Sequence, residues 1–160
     1  MGCCGGSGRN AVFSGRFDHS TDEKGRVSIP ARFRETLQHD GHDTLFITNW
    51  IYQKERCLAL FPPNQWMKLI GKISQGGSLN PATQTFQMFW IGGAHEVQVD
   101  RQGRILIPPR LREYARLERE VTFNALVDHF QLWDKPVLQR LLEAAEQQIM
   151  DSDLIGKLNL

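Results

Sequence analysis

The sequence predicts an α+β fold that is rich in strand and is made of two related half-domains that pack on each other as a pseudo-symmetric pair. Three observations lead to this prediction: an internal repeat, a strand–turn–strand–helix pattern in each copy, and a length of 160 residues. Two copies are too few for a solenoid. Each copy is also near the size at which a core of its own is marginal, so we expect the copies to share one core.

The repeat is clearest in two segments of 14 residues. Residues 22–35 read DEKGRVSIPARFRE and residues 100–113 read DRQGRILIPPRLRE, at a constant offset (100 − 22 = 78). Asp, Gly, Arg, Ile, Pro, Arg, Arg and Glu recur in register without a gap. The sequence thus predicts a disordered leader or remnant of cloning at residues 1–11, repeats at 12–80 and 81–150, and a flexible tail at 151–160.

The elements of each copy follow from local patterns. Asp and Gly are turn residues, short apolar runs predict strands, and the prolines suit a first helical turn. Apolar residues spaced i, i+4 predict helices. The predicted strands are 17–20, 27–29, 45–48 and 57–61, then 95–99, 105–107, 121–126 and 129–133. The predicted helices are 31–38, 63–73, 82–91, 109–117 and 136–149.

Composition excludes several classes of protein. Hydrophobic residues make up 41% of the chain and charged residues 23%, which is typical of a folded domain. No apolar run approaches the ~18 residues of a membrane helix, so we expect no membrane contact. The three cysteines lack the spacing of a zinc or redox site and predict reduced thiols in the cytoplasm.

The net charge of +1 conceals two basic blocks. Residues 13–34 hold five basic and three acidic residues, and residues 99–119 hold six basic and three acidic residues. Arginine can bind phosphate or contact guanine O6 and N7 with two parallel hydrogen bonds. The sequence therefore predicts a DNA-binding set in the two blocks: Lys24, Arg26, Arg101, Arg104, Arg16, Arg32 and Arg110.

Turn chemistry predicts a second set of residues that brace the loops. Asp22 and Asp100 can accept hydrogen bonds from backbone N–H groups further along each loop, and Gly25 and Gly103 tolerate positive φ. The same aspartates could simply pair with the arginines four residues on, in which case the arginines would only lock the loops. Both interpretations can hold together, with aspartate bracing the loop while a basic side chain points outward.

Residues beyond the repeat complete a family pattern. Phe13-x-Gly15 precedes the first copy, Gly93-Ala94-His95 precedes the second, and Phe130-Gln131-Leu132-Trp133-Asp134 follows it. With two Asp-x-x-x-Arg motifs, residues 12–149 resemble the MraZ family of bacterial transcriptional regulators, which carry two SpoVT-AbrB-like half-domains.

This resemblance implies a swapped-hairpin barrel with peripheral helices and a ring-like homo-oligomer. It also implies sequence-specific binding of double-stranded DNA at G-rich direct repeats upstream of the division and cell-wall gene cluster, usually with repression. The location would be cytoplasmic and nucleoid-associated. The DNA contacts would be Lys24 and Arg26, with Arg104 as the counterpart.

The chain departs from the family pattern in two places. The second copy has Arg101-Gln102 where the first copy has Glu23-Lys24, so its basic residue lies one position closer to the aspartate. The predicted helix at 82–91 also has no basic residue, so the sequence does not support a DNA-binding role for it.

The sequence gives less support to two other classes of function. The one histidine cluster, residues 39–43, fits a polar loop better than a metal site, and no nucleophile, zinc or phosphate-loop motif is present. We therefore expect no enzymatic activity, no cofactor and no metal. The remaining alternative is a structural ring-forming oligomer whose basic loops make subunit contacts. The aromatic faces of Trp66, Phe86, Phe89 and Trp90 would fit an interface or, more commonly, a core.

Overall fold

The computed structural model of the chain describes residues 12–77 and 79–159. The predicted leader at residues 1–11 lies outside the described residues. The strands are β1 (Arg16–Ser20), β2 (Arg26–Ser28), β3 (Thr44–Tyr52), β4 (Glu55–Phe61), β5 (His95–Gln98), β6 (Arg104–Leu106), β7 (Glu120–Leu126) and β8 (His129–Asp134). The helices are α1 (Ala31–His39), α2 (Pro63–Gln75), α3 (Pro81–Phe86), α4 (Pro109–Tyr114), α5 (Lys135–Asp151) and α6 (Leu154–Lys157), and a π-helical segment spans Gln87–Ile91. The fold is α+β, as predicted.

Six strands form one antiparallel sheet in the order β1-β7-β8-β4-β3-β5. The two copies are equivalent in this sheet, with β1 corresponding to β5, β3 to β7 and β4 to β8. Exchanging each strand for its counterpart gives the same order read from the opposite edge. At the centre of the sheet Ala59 lies opposite Gln131. The edge strands cross between the halves, since β1 pairs with β7 and β5 pairs with β3. The halves are therefore interleaved.

The strands β2 and β6 form a separate two-stranded ribbon that takes one strand from each half. Within the described residues, β1 and β5 are the edges of an open sheet, so no closed barrel is present. The described residues therefore do not show the predicted barrel, and the swapped arrangement of its hairpins stays a prediction.

The main core lies where the two halves meet. Phe130 of β8 is fully buried, and its ring centroid lies 4.7 Å from the rings of both Phe13 and Phe33. Val27 and Ile105 of the ribbon are buried in the same cluster. Because each half supplies side chains to one core, neither half buries its apolar surface alone.

Helices cover the outer parts of the sheet. Trp66 of α2 packs against Trp90, with 4.7 Å between ring centroids, and both are buried. These two tryptophans are therefore core residues, whereas Phe86 is partly exposed. The helix α5 packs on buried Cys57 and Trp133 through Leu138.

The predicted helix at 82–91 is divided in the structure. The side chain of Asn80 accepts a hydrogen bond from the Ala82 N–H (2.9 Å) and caps α3, which gives way to the π-helical segment after Phe86. A π turn contains an extra residue, which rotates the following side chains. Here Trp90 turns toward the core, and its carbonyl accepts a hydrogen bond from the Thr48 hydroxyl (2.5 Å).

Other boundaries differ by a few residues. The helix α4 ends at Tyr114 rather than 117, because Arg116 adopts a φ of 51° that ends the helix. The strand β3 runs on from 48 to Tyr52, and Gln53 and Lys54 form the hairpin turn with positive φ. The region predicted as a tail contains α6. No helix among the described residues is long and apolar enough to cross a membrane.

Candidate nucleic-acid interface

The first Asp-x-x-x-Arg motif forms a compact loop between β1 and β2. One carboxylate oxygen of Asp22, Oδ1, accepts hydrogen bonds from the backbone N–H groups of Lys24 (3.0 Å) and Arg26 (2.8 Å). The other oxygen, Oδ2, accepts from Arg26 Nε at 2.7 Å. The Gly25 N–H donates to the Asp22 carbonyl at 3.0 Å, and Gly25 has a φ of 83°. The aspartate therefore bonds to both the backbone and the arginine side chain of the loop.

The second motif repeats this geometry between β5 and β6. Asp100 Oδ1 accepts from the N–H groups of Gln102 and Arg104, both at 2.9 Å, and Oδ2 accepts from Arg104 Nε at 3.0 Å. Gly103 has a φ of 75° and donates its N–H to the Asp100 carbonyl at 3.0 Å. The two loops therefore have the same pattern of hydrogen bonds.

The hydrogen bonds also hold the two aspartates in their charged form. The backbone N–H of Arg26, followed by its guanidinium, lowers the pKa of Asp22 below its ordinary value of 3.8. The backbone N–H and guanidinium of Arg104 lower the pKa of Asp100 in the same way. Each loop therefore contains a stable carboxylate at neutral pH.

The ion pairs constrain Arg26 and Arg104 without burying them. Their side chains are 35% and 30% exposed, and the nitrogen of each that donates to the aspartate carboxylate is Nε. A guanidinium carries five N–H donors, so the terminal nitrogens keep donor capacity for a ligand. The arginine that locks each loop is thus also able to present an oriented fork of donors outward.

The other predicted contacts lie at different distances along the chain from the loops, and Arg16 lies at the end of β1 farthest from the first loop. Lys24 and Arg101 are exposed at the loop tips. Arg32 and Arg110 are exposed near the start of α1 and α4. Arg16 is exposed in β1, opposite Asn124 of β7.

The ribbon sets the two loops relative to each other. In its antiparallel register Arg26 lies opposite Leu106, and Arg104 lies opposite Ser28. The two loops therefore enter the ribbon from opposite ends. The first loop lies next to Leu106, where the chain leaves the ribbon toward α4, and the second loop lies next to Ser28, where the chain leaves it toward α1.

Two arginines outside the predicted site contact these loops. Arg34 Nη1 of α1 donates to the Gln102 carbonyl at 3.0 Å. Arg112 of α4 lies against Gly25, where an added methyl group would meet its Nη1 at 2.9 Å. Sequence reasoning missed both residues, although their recurrence in register was a usable signal.

The histidine cluster does not assemble a metal site. His39 Nδ1 lies 3.2 Å from Asp40, and His42 Nε2 lies 3.1 Å from Asn64 on α2. Across the described ranges 12–77 and 79–159, no group of three His, Cys, Asp or Glu side chains is placed to hold a metal ion.

Replacing Gly103 with alanine should destabilise the chain by about 1–3 kcal/mol, because positive φ is costly with a Cβ and the new methyl group would collide with the Arg34 guanidinium. Gly41 is a matched control, since its φ is 74° and its Cβ would meet no atom within 4 Å. Urea unfolding should show the larger loss for Gly103→Ala. Equal losses for the two variants would mean that the close approach of Arg34 contributes nothing.

Acidification should loosen both loops only at very low pH. A carboxylate whose folded-state pKa is depressed adds stability above its unfolded pKa, and this stability is lost as pH falls through the folded pKa. An NMR titration should therefore give midpoints below 3.8 for Asp22 and Asp100. A midpoint at or above 3.8 for either carboxylate would contradict the observed bracing.

Comparison with known proteins agrees with this repeat. The family model described as "MraZ protein, putative antitoxin-like" matches twice, at residues 12–89 and 90–153. A protein named transcriptional regulator MraZ from Shewanella piezotolerans is 35% identical over 149 residues, covering 93% of this chain and 97% of the relative. A protein of the same name from Thermomicrobium roseum is 41% identical over 76% of this chain and 81% of the relative. Another from Acidithiobacillus ferrooxidans is 38% identical over 77% of this chain and 83% of the relative. The chain belongs to the MraZ family.

Proposed function

We propose that the chain is a DNA-binding regulator of transcription that contacts double-stranded DNA through its two Asp-x-x-x-Arg loops. The observation that supports this most directly is that one braced loop is built twice, each time with an oriented and partly exposed arginine. Relatives that match most of the chain are named transcriptional regulators, which is not a class of enzyme.

The chemistry of the loops favours guanine as the base that is read. Fixing Nε on the aspartate leaves the terminal nitrogens of Arg26 and Arg104 to approach O6 and N7 of guanine in the major groove. Lys24 and Arg101, at the exposed tips, suit the phosphate backbone, because a flexible cation needs little geometric precision there.

The finer function follows from the same argument together with the family. The target is a set of short G-rich direct repeats in the promoter of the division and cell-wall gene cluster, and binding represses it. A ring-like homo-oligomer would present many copies of two modest loops, and multivalency would raise the affinity without any new contact. We place the protein in the cytoplasm, associated with the nucleoid.

Fluorescence anisotropy on the DNA upstream of the chain's own gene tests this function. Binding should require intact G-rich repeats and should fail when those repeats are scrambled. Affinity should fall steeply with salt, because each neutralised phosphate releases counterions. Equal binding of the scrambled DNA, or binding that salt does not affect, would contradict the proposal.

The structural alternative, in which the basic loops make subunit contacts, gives a different result. In that case an Arg26 variant would lose its oligomer by analytical ultracentrifugation, and DNA would not bind to the unmodified chain.

A further inference from the structure

Each proposed DNA loop is covered by an arginine from the opposite half of the chain. Arg34 belongs to the first half, but its guanidinium donates a 3.0 Å hydrogen bond to the Gln102 carbonyl in the loop of the second half. Arg112 belongs to the second half and contacts Gly25 in the loop of the first half. The pair obeys the pseudo-symmetry of the fold, so the arrangement is built twice.

The loop glycines make this close approach possible. A Cβ on Gly103 would overlap the Arg34 guanidinium and would come within 2.7 Å of its Cδ. A Cβ on Gly25 would lie 2.9 Å from Arg112 Nη1 and 3.6 Å from its Cδ. Each glycine therefore has two roles, since it adopts positive φ and leaves space for an arginine of the other half.

The ribbon connects the same groups through the backbone. The Ile29 N–H donates to the Gly103 carbonyl at 2.9 Å, and the Ile107 N–H donates to the Gly25 carbonyl at 3.0 Å. Each loop glycine is thus held by a backbone donor and faced by an arginine, both from the opposite half. The loop of one half is incomplete without the other half.

We infer that Arg34 and Arg112 are positioning residues for DNA binding, each of which orients the Asp-x-x-x-Arg loop of the opposite half. Each binding unit is therefore composite: Arg104 acts with Arg34, and Arg26 acts with Arg112. This inference rests on the proposed function. It adds that Arg34 is energetically coupled to Arg104 of the other half and not to Arg26 of its own half.

The two positioning residues differ in strength. The Arg34 side chain makes a charge-assisted hydrogen bond to the loop backbone, whereas the Arg112 side chain, in the part of the chain that the structure describes, packs against Gly25 without such a bond. Charge-assisted bonds are about twice as strong as neutral ones. Arg34 therefore has the larger effect.

The test compares Arg34→Met with Arg34→Lys in the full chain. Methionine keeps the apolar stem but removes the donor, so DNA affinity should fall by about tenfold or more, as for loss of a hydrogen bond to a charged group. Lysine can reach the Gln102 carbonyl but lacks the planar fork, so it should restore part of the affinity. Thermal unfolding and ultracentrifugation serve as checks that fold and assembly are retained.

Double-mutant cycles then test the pairing. The DNA-binding losses from Arg34→Met and Arg104→Ala should be non-additive, whereas those from Arg34→Met and Arg26→Ala should add, because the Arg26 side chain bonds Asp22 and the Arg34 side chain bonds the Gln102 carbonyl, so the two share no partner. Additive losses in the first pair, or unchanged DNA affinity in Arg34→Met, would overturn the inference. The inference would also be overturned if the losses from Arg34→Met and Arg26→Ala were non-additive while those from Arg34→Met and Arg104→Ala were additive.

Amide hydrogen exchange without DNA separates this inference from the proposed function. In Arg34→Met the amides of Gly103 and Arg104 should exchange faster, while those of Gly25 and Arg26 should not change. If the chain binds no DNA but this selective change is seen, the proposed function fails and the cross-half positioning of the loops stands. If exchange is unchanged in both loops, the positioning role is wrong even when the chain binds DNA.

Discussion

Replacing Arg26 with alanine should lower the affinity for the G-rich repeats by about a hundredfold or more. A bidentate contact with guanine is worth about 1–3 kcal/mol, and an oligomer would lose that contact once in every subunit. The variant also leaves Asp22 Oδ2 without its side-chain donor, so the loop itself should loosen. Anisotropy on specific and scrambled DNA measures both affinities.

The controls for this variant are Arg104→Ala and Arg140→Ala. Arg104 tests whether the second loop contributes equally, given that its neighbouring basic residue is moved by one position. Arg140 is exposed on α5, far in sequence from both loops. Its replacement by alanine removes one positive charge, as Arg26→Ala does. If Arg140→Ala lost as much specific binding as Arg26→Ala, net charge and not the loop would explain the effect.

The fold should tolerate Arg26→Ala, because its ion pair is about one-third exposed and such pairs contribute about 1 kcal/mol or less. Ultracentrifugation of the variant should therefore show the assembly of the unmodified chain. A variant that dissociates would support the structural alternative instead.

Replacing Phe130 with alanine should cost about 3–5 kcal/mol of unfolding free energy, which is the range for large buried aromatics. The ring lies against Phe13 and Phe33 at 4.7 Å, so its loss leaves a cavity between the two halves. Typical domains are stable by only about 5–15 kcal/mol, so much of the fold's stability should be lost. Urea unfolding followed by tryptophan fluorescence measures this loss.

Met88→Ala is the matched surface control, since Met88 is 77% exposed and its truncation should cost less than about 0.5 kcal/mol. Two separate unfolding transitions in Phe130→Ala would contradict a shared core, because they would show that each half unfolds independently.

Several features of the site could be predicted from the sequence because they arise within a few residues. Asp22 and Asp100 accept hydrogen bonds from N–H groups two and four positions on, and the glycines supply positive φ. Such turns depend on local side-chain chemistry. The repeat then predicted that the geometry would occur twice.

Features that depend on distant packing were predicted less well. The helix at 82–91 is predicted from Phe86, Phe89 and Trp90 at helical spacing, yet the chain changes to a π-helical segment where Trp90 turns onto the sheet. The ends of α4 and β3 also moved, because φ at Arg116, Gln53 and Lys54 reflects how the chain has to turn next.

By itself, the sequence determined the duplicated half-domain, the braced loops and the separation of a near-neutral composition into two basic blocks, since each depends on residue types at short spacing. Only the tertiary structure decided which half completes which loop. Arg34 and Gln102 are 68 positions apart, and their contact exists because β2 and β6 pair in one antiparallel register. Such pairing is set by the shared core, because shifting a strand by one residue would move its buried face to solvent.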